Sequence, residues 1–88
     1  MTEDEFGAKL SAAGYGEPTT KVWEANADGE FHTHDFSALL MVTDGEFRVV
    51  LEDETKVLKS GDWCEVVAGT VHCEQTGANG ATVVAGTR

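Results

Sequence analysis

Two of the three histidines in this chain stand one residue apart, as His32-Thr33-His34, and the third, His72, follows a glycine turn much later. A neutral imidazole suits zinc, iron, nickel and copper, and the ring nitrogen that does not bind the ion needs a partner of its own. Alternate side chains of a strand share a face. His32 and His34 therefore present both rings to one ion if they lie on a strand, and a neighbouring strand can bring His72 beside them. The plainer alternative is a pair of surface or hydrogen-bonded histidines. In Val71-His72-Cys73-Glu74 either His72 and Glu74 face inward together or Val71 and Cys73 do, and the metal reading requires the first. On that choice Glu74 is the candidate for acid or base work, against the alternative of a solvated carboxylate at a strand end. Cys64 and Cys73 lack the Cys-x-x-Cys spacing of a structural zinc or redox motif and are expected as free, buried thiols. Cys73, next to His72, is the one that could lie near the site.

The elements that must hold these groups are mostly strands. Thr2-Glu3-Asp4-Glu5 has the form of a capping box, and Phe6 and Leu10 follow at helical spacing before Gly14 and Gly16, which predicts one short helix over about residues 3–13. From Pro18 the chain changes to short runs rich in Val, Thr, Phe and Trp between turn signals such as Asp44-Gly45, Gly61-Asp62 and Asn79-Gly80. These runs predict strands at 19–24, 30–34, 36–43, 46–52, 55–58, 63–67, 70–75 and 81–86. So many strands in so few residues are expected to close into a small barrel or a two-sheet sandwich, because open edges invite aggregation. Alternation points Phe47, Val49 and Leu51 inward and Arg48 outward. Trp23, Trp63, Phe36, Phe47 and Tyr15 are expected to line or plug the interior. Ala38-Leu39-Leu40-Met41-Val42 is apolar on both faces, which points to a homodimer, with the N-terminal helix as the alternative cover.

At 88 residues the chain is read as a single domain, with the helix at about 3–13 and the barrel at about 19–86. Its 16 Asp and Glu against 6 Lys and Arg give a net charge of −10, which repels phosphate backbones and anionic lipid. Neither nucleic acid nor a membrane is an expected partner; a small-molecule ligand is. No run approaches the roughly 18 apolar residues of a membrane span, and the acidic opening Met-Thr-Glu-Asp-Glu is unlike a basic signal segment, so a cytoplasmic location is expected.

The histidines and glycines together resemble the two short motifs of the cupin superfamily of small β-barrels. His32, His34 and Gly45 match the first motif, with Ala38 where its glutamate belongs and Asn26 where its leading glycine belongs. Gly61, Gly69 and His72 match the second at the family spacing, with Val67 in place of its proline and Thr76 in place of its asparagine. The resemblance implies an all-β cupin barrel of the jelly-roll type with one short N-terminal helix. It also implies a divalent metal (iron, zinc, nickel, manganese or copper) held by His32, His34 and His72. Within the barrel, Gly45 is expected to close an Asp-Gly hairpin and Gly69 to turn the chain back toward His72. Three-histidine cupins include dioxygenases acting on thiols and diketones, so the resemblance implies a dioxygenase-like enzyme for a small anionic substrate, or else a non-catalytic sensory or ligand-binding module, with or without metal. Three neutral imidazoles leave both charges of the ion uncompensated, so the site is expected to welcome anions. Asp35, Ser37 and Glu74 are the residues within reach of restoring a fourth ligand.

Overall fold

A computed structural model describes residues 1–88. The capping box forms: Thr2 Oγ1 accepts the Glu5 N–H at 3.2 Å, and the Glu5 carboxylate accepts the Thr2 N–H at 2.9 Å. These bonds satisfy two of the amide groups that a helix start leaves open. Helix α1, Glu3–Ala12, follows and ends before Gly14, whose φ of +76° stops it. One face of α1 is apolar: Phe6 and Leu10 are buried against Tyr15, Leu39, Met41 and Val84.

Five strands come after the helix: β1 Thr19–Trp23, β2 Ala38–Val50, β3 Thr55–Lys59, β4 Trp63–Val66 and β5 Cys73–Thr87. The expected eight are reduced because two of the turn signals do not turn the chain. Asp44-Gly45 lies inside β2, where the pairing with β5 shifts register between Val42 and Asp44 and again between Gly45 and Phe47. Gly45, at φ +79°, takes the left-handed position of a bulge, and a Cβ there would stand 2.2 Å from the Gly80 carbonyl oxygen. The two backbones meet too closely for any side chain, so the expected hairpin is replaced by a bend in one long strand. Asn79-Gly80 lies likewise within β5, with Gly80 at φ +70°. The expected strand at 30–34 is an extended segment whose bridge to the next segment is made by His32.

All pairings are antiparallel in the order β1-β5-β2-β3, with β4 on the other edge of the first half of β2. The sheet bends over its own core but does not close into a hydrogen-bonded cylinder. Its two faces follow from alternation along β2. Leu40, Val42, Phe47 and Val49 enter the interior with Leu58 and Val66, whereas Leu39 and Met41 point the other way. Arg48 leaves the interior as expected and donates to the Thr76 carbonyl at 3.1 Å. The second apolar face of residues 38–42, which the sequence offered to another copy of the chain, is therefore covered by α1. No helix is long and apolar enough to cross a membrane.

Candidate metal centre

The histidines sit outside the long strands, on two segments stitched together by the backbone. His32 and His72 form an isolated antiparallel bridge: the His32 N–H donates to the His72 carbonyl at 2.9 Å, and the His72 N–H donates to the His32 carbonyl at 3.1 Å. The Gly69 N–H reaches the His34 carbonyl at 2.9 Å, with Gly69 at φ +83° turning the chain as the sequence required. Glu74 is the second residue of β5, and its backbone carbonyl accepts the Gly29 N–H at 3.0 Å. The approach is close, since a Cβ on Gly29 would stand 3.3 Å from that same oxygen.

These constraints bring His32, His34, His72 and Glu74 together, with one potential ligand atom from each residue all within 4.8 Å of one another. Ring centroids lie 4.7 Å apart for His32 and His34, 4.5 Å for His32 and His72, and 5.3 Å for His34 and His72. His72 is the buried base of the group at 3% exposure, while the side chains of Glu74 and His32 are 17% and 37% exposed. Burial thus falls from His72 through Glu74 to His32, the most exposed of the three.

Two rings are held by the backbone in the same way. His32 Nδ1 lies 2.7 Å from the Glu30 carbonyl and His72 Nδ1 lies 2.9 Å from the Thr70 carbonyl. A carbonyl only accepts, so each Nδ1 carries the proton and each Nε2 is the free coordinating nitrogen. Both Nε2 atoms face one carboxylate: His72 Nε2 is 3.2 Å from Glu74 Oε1, and His32 Nε2 is 3.4 Å from Glu74 Oε2. Each contact needs either a second proton on the ring or a bound cation between nitrogen and oxygen. Three imidazoles and one carboxylate form a donor set that fits a divalent transition metal.

Glu74 alters the charge expected of the site. The sequence predicted three neutral ligands with the family's glutamate absent at Ala38; the fold supplies a carboxylate from the far segment instead, two residues beyond His72. The other two candidates for that role are elsewhere: Asp35 is exposed in a bend, and Ser37 Oγ accepts the Ala68 N–H at 3.0 Å. Cys73 is buried beside the group, and burial first, then the negative charges of Asp28 and Glu74, pushes its thiol up and away from the reactive thiolate. Of the aromatic residues expected inside, Trp23 meets Phe47 edge-on at 5.0 Å, but Trp63 is exposed under the Lys9 ammonium. Phe36 is also at the surface, where it stacks on His34. The fixing carbonyls of Glu30 and Thr70 were not found in the sequence, because any residue type supplies a carbonyl.

An open, bent antiparallel sheet carrying a His-x-His pair opposite a later histidine defines a class of small β domains built around one polar cluster. Residues 20–85 match the cupin domain family, and the chain belongs to it. No match was found among curated protein sequences. Solved structures with the same fold include an RmlC-like cupin from Shewanella frigidimarina, 26% identical over 80% of this chain and 62% of that one, with a TM-score of 0.67. A cupin-like protein from Thermotoga maritima is 25% identical over 80% of this chain and 53% of its own length, also at a TM-score of 0.67. The Fe(II) form of HppE in complex with substrate matches at 18% identity over 81% of this chain and 44% of that chain, with a TM-score of 0.70. This chain covers less than two thirds of each of them.

Proposed function

We propose that this chain is a metal-dependent cupin in which His32, His34 and His72, joined by Glu74, hold one divalent transition-metal ion and leave coordination positions open to a small anionic ligand. The observation that carries this reading is the approach of both Glu74 oxygens to the Nε2 atoms of His32 and His72, whose Nδ1 atoms are already engaged by carbonyls. Acceptors gathered around acceptors are stable around a cation. Protons on the rings are the competing cation, and metal titration separates the two.

When bound, such an ion supplies Lewis acidity and, as iron(II), access to dioxygen chemistry of the dioxygenase kind. The likeness to Fe(II) HppE is one of fold, so the step toward iron rests on the donor set. The chain's own residues do the rest. The carbonyls of Glu30 and Thr70 fix the tautomer and orientation of two rings. Glu74 neutralises one of the two charges, so the loaded site retains one net positive charge and favours a single anionic group on the ligand. Buried His72 closes the base of the site to water. With both oxygens turned toward the imidazoles, Glu74 serves as a ligand first, and acid or base work falls to it only when a substrate displaces one of those oxygens.

The test is elemental analysis of untagged protein, followed by titration with iron(II), zinc and cobalt(II), and by oxygen uptake with a thiol, a diketone and a phenolic acid. A near-stoichiometric metal with oxygen consumption supports the enzyme. Saturable ligand binding with no turnover supports a sensory module on the same metal. No metal retained or rebound at neutral pH removes the metal centre and the enzyme, and saturable ligand binding under that condition supports a metal-free binding module.

A further inference from the structure

His34 is held differently from its two partners. His32 and His72 each direct Nδ1 at the carbonyl two residues earlier, that of Glu30 and of Thr70. The equivalent carbonyl for His34 belongs to His32, and it already accepts the His72 N–H at 3.1 Å in the bridge that joins the two ligand segments. The stitching that brings the histidines together thus engages the acceptor that would have fixed the third ring. The His34 ring makes no hydrogen bond to the protein. What it has instead is Phe36, whose ring lies parallel to it within 17° at a centroid distance of 4.6 Å. Phe36 is two residues beyond His34, across a bend at Asp35 and Phe36 that leaves the two rings face to face. At 37% exposure Phe36 belongs to neither hydrophobic cluster, and His34 is its one aromatic partner.

We propose that Phe36 is a positioning residue for the metal centre: its ring replaces the missing carbonyl as the support that holds His34 ready to coordinate. The inference rests on the metal reading above. A flat contact restricts tilting of the imidazole but not its rotation within the stacking plane, so His34 is the most loosely held of the three imidazoles and the one whose coordination depends on an aromatic neighbour. An aliphatic side chain of similar bulk keeps the apolar cover and loses the flat face.

The experiment compares the unaltered protein with F36L, F36Y and H34A. In metal-free protein, NMR reads the His34 ring protons, which a stacked phenyl ring shifts upfield; F36L removes that shift and F36Y restores it. Cobalt(II) titration followed by visible absorption then reads affinity and ligand field. F36L lowers cobalt affinity by about tenfold, the low end for loss of a group that orients a ligand, with an altered spectrum and an unchanged melting temperature of the metal-free protein. F36Y binds as the unaltered protein does. In an H34A background F36L has no further effect, as expected of a residue acting through His34. Equal affinity and identical spectra for F36L and the unaltered protein overturn the inference while leaving the metal centre standing. Absence of cobalt uptake by the unaltered protein overturns the metal reading and this inference with it.

Discussion

Glu74 supplies the one negative charge within the cluster, and its removal separates ligation from mere packing. Glu74→Gln keeps the shape and removes the charge, so divalent metal affinity falls by about 10- to 100-fold, read by calorimetric titration, with little change in the metal-free fold. Equal affinity in that variant means the carboxylate is a bystander. The sequence marked Glu74 as facing the same way as His72 and named it with Asp35 and Ser37 as a possible replacement for the carboxylate missing at Ala38; which of the three joins the histidines depends on the bridge between His32 and His72, which no local pattern announces. Cys64 shows the opposite case, a reactive type made inert. Burial pushes its thiol up to about 11 from 9.0. The folded state therefore holds the proton more tightly than the unfolded chain does. Stability from this source is complete below about pH 9 and is lost as the pH rises toward 11. Iodoacetamide at pH 8 is expected to leave Cys64 unmodified in folded protein and to label it in urea. Labelling at equal rates in both states contradicts the burial argument.

At the scale of elements, the helix was the most legible part, because its start is chemical: Thr2 and Glu5 cap one another, and Phe6 and Leu10 give the buried stripe. The strands were legible as apolar alternation but not in number. Asp-Gly reads as a turn from the sequence, and whether the chain reverses there or bulges depends on what lies opposite. Opposite Gly45 lies Ala81, with the Gly80 carbonyl oxygen against the Gly45 backbone, and this close contact keeps β2 and β5 running past each other. Gly45→Ala combines a left-handed φ with that clash and is expected to lower stability by about 3 kcal/mol or more, measured by urea unfolding. Gly7 is the contrasting case, inside α1 with no atom within 4 Å of a Cβ placed on it. Gly7→Ala is expected to raise stability by about 0.5–1 kcal/mol, since only the unfolded chain's freedom is reduced. Similar effects from both substitutions contradict the account of how β2 and β5 cross.

For the whole molecule, the two cores divide the work. The interior core between the sheet halves is apolar and independent of the metal, while α1 closes the far face of β2 through Phe6 and Leu10. The histidine cluster sits where the irregular segment at 28–34 meets residues 69–75, joined by the isolated bridges Asp28–Gln75 and His32–His72 and by the Gly69-to-His34 hydrogen bond, not by a strand ladder. A metal held by His32 and His34 on one segment and His72 and Glu74 on the other would act as a further cross-link between them. The net charge of −10 adds to this, because a cation bound among acidic surroundings relieves self-repulsion as well as binding its ligands. An ion that binds only the folded state at 100 times its Kd adds about 2.7 kcal/mol of stability, which for a domain of this size raises Tm by about 10–20 °C. The increase is expected with zinc or cobalt(II), reversed by a chelator, and absent in His72→Ala. His72 is buried at 3% exposure, so its truncation also lowers the metal-free melting temperature; the cross-link is read from the metal-induced rise, which this variant loses. An equal rise in Tm for His72→Ala and the unaltered protein means the ion binds the acidic surface at large, and the cluster of His32, His34, His72 and Glu74 is then not the site that joins the two segments.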